Sequence, residues 1–228
     1  MSDPLQKLTP RQVTDAGLAD WRQVFHVIKA RFRTGNFATG LELVNRIGAA
    51  AEAADHHPDI TLTYPEVIVA MSSHDVAGIT SRDLDLARAI SGFAADLGAT
   101  ADVAGLTQLE LGLDTANGEK NAPIYAALLG SQVKRGEPVD PSGQVPTIWW
   151  QEPGDPSEDA EFALPAQDFD QRWHFDVWIP ADDVARRLAA VIEAGGTLVS
   201  DAAAPSYWVI EDADGNRSCI CTVADRGE

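Results

Sequence analysis

The chain has 228 residues, 45% of them hydrophobic and 23% charged, with 17 Lys and Arg against 35 Asp and Glu for a formal net charge of −18. That much apolar material supports packed cores and excludes a wholly disordered chain, and the length suits two ordinary domains. The acidity excludes nucleic acid as a partner, because neutralising phosphates takes clustered Lys and Arg and no basic stretch is present.

The acidic excess is uneven: residues 1–98 carry 9 basic and 12 acidic side chains, a net of −3, whereas residues 99–228 carry 8 and 23, a net of −15. Two different balances predict two units. No apolar run approaches the roughly 18–20 residues that span a bilayer, and Met1 to Pro10 has neither the cationic nor the apolar stretch of a signal peptide. A soluble, cytoplasmic protein with no membrane partner is expected. The only cysteines, Cys219 and Cys221, lie two apart on a predicted strand, so they share a face, are poorly placed for a mutual disulfide and read as packed thiols.

In chain order, Thr9 and Pro10 open a short helix as N-cap and first-turn residue, running to about Ala16. Trp21 to Thr34 suits a hairpin around Val24, Val27, Ile28 and Phe32, broken by Gly35-Asn36. From Phe37 the spacing Phe37, Leu41, Val44, Gly48, Ala51 follows the helical period and predicts a helix to Ala54 with one face on a sheet. Pro58 stops it. Ile60, Leu62 and Tyr64 alternate with threonines in a strand, Pro65-Glu66 turns the chain, and Val67 to Ser72 returns it. Thr80 then caps a helix with Asp83 three residues on and Leu84, Ala87, Ile90 and Ala94 as its buried stripe, ending near Leu97-Gly98. Ala99 to Gly105 is small and polar, and reads as the interdomain linker.

The second half holds two copies of one plan, a strand, a capped helix and further strands. Leu109 to Leu113, a turn at Asp114 and Asn117, and a helix from Glu119 to Leu129 closed by Gly130 make the first. Trp173 to Ile179, a helix opened by Pro180-Ala181-Asp182 and ended by Gly195-Gly196, and strands at Tyr207 to Ile210 and Ser218 to Val223 make the second. A turn over Asp212 to Asn216 joins those last strands, and Gly154 to Asp170, rich in Pro, Asp and Glu, reads as a surface loop.

Five histidines occur, and His56, His57 and His74 fall within nineteen residues. Each alone reads most simply as a structural or surface side chain, and a histidine at a helix end is favoured by the dipole without any function. Together they lie where a helix meets a strand and where the hairpin's second strand ends, with Glu52 one turn before His56 and Asp83 in the next helix's first turn. Imidazoles that titrate near neutrality, oriented by carboxylates, are what proton transfer in both directions requires. Three imidazoles and a water also suit zinc, although neighbours at a helix end point differently.

The pattern of Glu52, His56-His57-Pro58, Tyr64, His74 and Asp83 resembles the signature of the pterin-4a-carbinolamine dehydratases, also called 4a-hydroxytetrahydrobiopterin dehydratases. The likeness extends from about Leu8 to Leu97, with Ser73 where threonine commonly precedes the histidine. It implies an α+β fold, an antiparallel four-stranded sheet with helices on one face, and a pterin substrate dehydrated with no cofactor. It also implies dimers or tetramers, or a non-catalytic role stabilising a partner's dimer. The roles it suggests are His56 and His74 as the acid/base pair, His57 as substrate-orienting, and Asp83 and Glu52 as orienting the imidazoles.

The second half resembles the glyoxalase-like, vicinal-oxygen-chelate superfamily through Leu113-Asp114, Tyr125 to Gly130, Trp173-His174-Phe175-Asp176 and Asp214-Gly215-Asn216. That implies a domain of two βαβββ modules, either a ligand-binding or structural module or a metal-dependent enzyme in its own right. The candidate ligands for a divalent metal are His174, Cys219 and Glu152, with Gln108 and Glu110 as further oxygen donors, and Ser218-Cys219-Ile220 stands where a terminal-strand glutamate is usual. Five of the six tryptophans lie here, and Trp149 and Trp150 should point to opposite faces of a strand. The expected domains are residues 1–98 and 106–225.

Overall fold

A computed structural model describes residues 4–129, 131–140, 143, 145–152, 173–193, 195–211, 215 and 217–225, with the side chains of 124 and 127–129 left aside. The chain divides into two units, Met1–Thr107 with Val223–Glu228, and Gln108–Thr222. Among the described residues, no helix is long and apolar enough to cross a membrane.

The first unit begins with α1 (Pro10–Asp15), closed by a reciprocal capping box between Thr9 and Gln12. A hairpin follows, β1 (Arg22–Val24) and β2 (Val27–Arg33), and then α2 (Phe37–Ala54), capped by Asn36. A second hairpin, β3 (Asp59–Thr63) and β4 (Glu66–Met71), leads to α3 (Ser81–Asp96). The sheet is antiparallel in the order β1-β2-β4-β3. Ile28, Ala30 and Phe32 of β2 and Val67, Val69 and Met71 of β4 bury one face against Leu43 and Ile47 of α2 and Leu84, Ala87 and Ile90 of α3. The α3 stripe is the one its sequence spacing predicts, whereas α2 turns another face to the sheet, burying Gly40, Leu43, Ile47 and Ala51. Of the expected stripe Phe37, Leu41, Val44, Gly48, Ala51 the first two are 48% and 44% exposed, because Leu43 and Ile47 continue an equally good helical period one step round. Gly40 lets α2 settle on the sheet, since a Cβ there would lie 2.6 Å from Leu62 Cδ1.

Two local readings differ. Tyr64 does not extend the alternation of β3; it is 67% exposed at the hairpin turn. The segment expected as a linker is folded onto the first sheet: Thr100–Ala101 (β5) pairs with Phe32 and Arg33 of β2, and a 3-10 turn spans Val103–Gly105. Between them the Asp102 carboxylate takes a hydrogen bond from the guanidinium of Arg33 and faces Arg31, while its N–H donates to the Arg31 carbonyl at 2.8 Å.

The second unit has the predicted doubled plan. One βαβββ module comprises β6 (Gln108–Asp114), α4 (Gly118–Leu129), β7 (Gln132–Lys134), β8 (Glu137–Val139) and β9 (Thr147–Gln151). The other comprises β10 (Trp173–Trp178), a 3-10 turn at Ala181–Asp183, α5 (Val184–Glu193), β11 (Thr197–Ser200), β12 (Tyr207–Glu211) and β13 (Arg217–Cys221). The modules join antiparallel through β6 and β10, giving the sheet order β11-β12-β13-β10-β6-β9, while β7 and β8 pair apart. Val177, Trp208, Ile210 and Ile220 pack with Val184, Leu188 and Val191 of α5 on one face. The expected Gly154–Asp170 loop, the closure at Gly130, and turn positions 212–214 and 216 lie outside the described residues.

Candidate active site

Helix α2 ends by a left-handed residue. Asp55 sits at φ 46°, its N–H bonded back to the Ala51 and Glu52 carbonyls, and the His56 N–H also reaches the Ala51 carbonyl at 3.1 Å. This wrapped-back end satisfies carbonyls that the helix leaves open. It also sends successive side chains in different directions, so that His56 is buried and His57 exposed.

The register of the second hairpin pairs Asp59 with Ala70. The residues just before β3, His56 to Pro58, therefore share one rim of the sheet with those just after β4, Ser72 to His74. There Asp83 holds the network. It is fully buried at 0% exposure, and its Oδ1 lies 2.8 Å from His56 Nε2. Its Oδ2 accepts from the Ser73 hydroxyl at 2.7 Å and from the Thr80 N–H at 2.8 Å. With Asp83 as a carboxylate, Nε2 of His56 carries the proton and donates. A buried carboxylate is tolerable only with donors of this number and quality.

The placement of Asp83 follows from its helix. It is the third residue of α3, so its carboxylate closes the capping box by accepting the Thr80 N–H, while the Thr80 hydroxyl accepts from Arg82 N–H. Ser73 is fixed by a short bridge to Gly78, with Ser73 N–H on the Gly78 carbonyl at 2.8 Å, which folds residues 74–77 into a tight excursion carrying His74. Arg82 clasps that excursion by donating to Asp75 at 2.7 Å. The hydrogen bond from Arg82 holds the Asp75 carboxyl below the ordinary carboxylate range, and Asp75 in turn raises Arg82.

Of the five residues expected from the sequence, two pairs are formed. His56 meets Asp83 inside the protein, and His57 Nε2 meets Glu52 Oε1 at 3.2 Å on the surface. His74 is exposed, one residue from Ser73 and so one link from Asp83. His56 and His74, expected to share the proton work, thus stand in different environments. Ser73, Thr80 and Arg82 were not among the expected site residues; a hydroxyl directly before His74 was the one signal of the first.

The second-unit candidates lie elsewhere. His174 and Cys219 are buried on β10 and β13, and Glu152 is exposed just beyond β9. Cys219 pairs in register with Asp176, whereas His174 pairs with Gly112. Among the described residues, no group of three or more His, Cys, Asp or Glu is placed to hold a metal ion.

The first unit thus combines an antiparallel sheet backed by helices with a rim of imidazoles and carboxylates suited to moving protons. Residues 6–93 match the family described as Pterin 4 alpha carbinolamine dehydratase, and residues 110–221 match the Glyoxalase-like domain. A protein of Thermosynechococcus vestitus, whose name assigns it provisionally to the pterin-4-alpha-carbinolamine dehydratases, is 37% identical over 39% of this chain and 96% of its own length. One from Gloeobacter violaceus, named likewise, is 36% identical over 38% of this chain and its full length. A crystal structure of a transcriptional coactivator/pterin dehydratase from Brucella melitensis is 28% identical at a TM-score of 0.38, covering 39% of this chain and 99% of that one. The chain belongs to the pterin-4-alpha-carbinolamine dehydratase family through its first unit, and carries a glyoxalase-like domain after it.

Proposed function

We propose that the first unit dehydrates a 4a-hydroxytetrahydropterin to the quinonoid dihydropterin and water, and that His57 and His74 carry the protons. The bond from C4a to the hydroxyl oxygen breaks as that oxygen takes a proton from one imidazolium. The N5–H gives its proton to the other imidazole as the N5=C4a double bond forms. Each histidine then returns to its starting state by exchange with water, so no external acid, base or oxidant is consumed.

The observation that carries the reading is the division of the histidines by burial. His57 and His74 are exposed and can meet both substrate and water, while His56 is buried with Nε2 against Asp83. His56 is therefore a positioning residue, held by Asp83 and fixing the chain direction at His57. Glu52, 3.2 Å from His57 Nε2, orients that ring. This differs from the division suggested by the sequence, which pairs His56 with His74. The second unit is proposed as a module that binds a small molecule.

The test is dehydration of chemically generated 4a-hydroxytetrahydropterin, followed by appearance of the quinonoid product. His57→Ala and His74→Ala should each lower kcat by about 10²–10³, in the range of a lost general acid or base. His56→Ala should lower it less and lower Tm as well. A folded wild type no faster than the spontaneous reaction would overturn the proposal.

A further inference from the structure

On the sheet face of the second unit opposite α5, strands β9, β6 and β10 bring Trp149, Gly112 and His174 into one row across the ladder. Cross-strand partners share a face, so the row is continuous. Gly112 leaves a gap in it: a Cβ there would sit 2.5 Å from His174 Cε1 and Nε2, so the imidazole lies over bare backbone. Trp149 meets the imidazole edge-on, with ring centroids 5.6 Å apart. His174 is 5% exposed, yet its Nδ1 is buried with no hydrogen-bond partner among the described residues, and the same holds for Trp149 Nε1. Buried polar atoms without partners are uncommon and lose the full desolvation energy of the group. Two on touching rings point to something that completes them.

The neighbours define its chemistry. One step along the same face, Asp176 pairs with Glu110, both buried, and Glu110 accepts from Trp178 Nε1 at 3.0 Å. Asp176 Oδ1 lies 3.6 Å from His174 Nε2. Among the described residues the face thus presents one unpartnered N–H donor, Trp149 Nε1, beside the open His174 Nδ1 and two carboxylates that accept. A flat ring with one carbonyl flanked by ring N–H and an exocyclic amine matches that order.

We propose that this face is a metal-independent binding site for a planar heterocycle with a 2-amino-4-oxopyrimidine edge, its carbonyl on Trp149 Nε1 and its N–H groups on the His174 and carboxylate side. The choice of a pterin as the first such ring rests on the dehydratase reading of the first unit. The site itself stands on the second unit alone.

The experiment is isothermal titration of the full chain with pterin (2-amino-4-oxopteridine) in EDTA, for wild type, Trp149→Phe, His174→Gln and the pair His57→Ala/His74→Ala, with circular dichroism to verify folding. A site weakened at least tenfold by Trp149→Phe or His174→Gln, retained in the His57/His74 variant, supports the proposal. So does weaker binding of lumazine, which has a carbonyl in place of the 2-amino group. Unchanged binding in both second-unit variants, equal affinity for lumazine, or binding only after Zn²⁺ or Mn²⁺ is added would overturn it. Dehydratase assays on the same proteins separate the two ideas. A wild type without dehydratase activity that still binds pterin through Trp149 removes the first-unit reading and leaves this one intact.

Discussion

At the scale of single residues, the rim of the first sheet is organised by Asp83. Three donors converge on it, from His56, Ser73 and Thr80, and it is sealed from water. Asp83→Asn replaces one acceptor oxygen with an NH2 group, which either faces the Thr80 N–H and Ser73 hydroxyl or, turned the other way, forces His56 to change tautomer so that Nε2 accepts. The expected outcome is a lower Tm and a fall in kcat of about 10–100-fold, as for a positioning group acting through His56. Its pH-rate profile should shift as well, which loss of stability alone would not produce. Ser73→Ala removes one of the three donors and should cost about 1 kcal/mol by thermal denaturation, with a rate loss under about tenfold. If Ser73→Ala proves as damaging to rate as Asp83→Asn, the serine touches the reaction itself and the ranking fails. Clustering and a family pattern single out Glu52, His56, His57, His74 and Asp83 in the sequence, and the fold forms two contacts among them, His56 with Asp83 and His57 with Glu52. What Ser73 faces was not legible, since a serine before a histidine has no local periodicity that names a partner ten residues on.

At the scale of elements, local pattern and distant charge contribute differently. The limits of α2 follow from its apolar period and from Pro58, and the start of α3 from Thr80 with Asp83; both are properties of neighbouring residues. The stretch after α3 reads as a linker because it is small and polar, which is all that neighbouring residues reveal. What folds it is Asp102, whose hydrogen-bonding partner Arg33 lies 69 residues away. The bond from Arg33, and then the nearby charges of Arg33 and Arg31, hold the Asp102 carboxyl below its usual 3.8. A carboxyl lowered in the folded state contributes stability that is present above its unfolded value and is lost as pH falls through its folded value. Asp102→Ala should therefore speed amide exchange at Thr100 and at position 102, whose N–H groups face β2, by about 3–10-fold near neutral pH, a local opening rather than global unfolding. The wild-type advantage should shrink as pH falls through the unfolded value of 3.8 toward the lower folded value. Equal exchange in the two proteins at pH 7 would mean that the backbone bond from Asp102 to Arg31 holds β5 without help from the carboxylate.

At the scale of the whole molecule, the dominant fact is charge. The net of −18 is concentrated in residues 99–228, whereas residues 1–98 are close to balance. Excess charge of one sign opposes compaction by self-repulsion, and salt relieves it as the screening length falls from about 30 Å at 0.01 M to about 10 Å at 0.1 M. Ion pairs respond oppositely, since screening weakens them. In the acidic unit the described Arg pairs are those of Arg186 and Arg187 with Asp183 and of Arg217 with Glu211, few against its excess of carboxylates, so repulsion should win. Raising NaCl from 10 to 200 mM should raise the Tm of the full chain by about 2–4 °C, corresponding to about 1 kcal/mol for a protein of this size. The gain should be carried by the melting of Trp-rich β9, β10 and β12, whose tryptophans report the acidic unit by fluorescence. Trp21 is the one tryptophan of the first unit, and Trp21→Phe should leave the salt response intact. A fall in Tm with salt would show instead that screened ion pairs, not excess negative charge, set the balance, and would shift attention to buried carboxylates such as Glu110 and Asp176 as net stabilising groups.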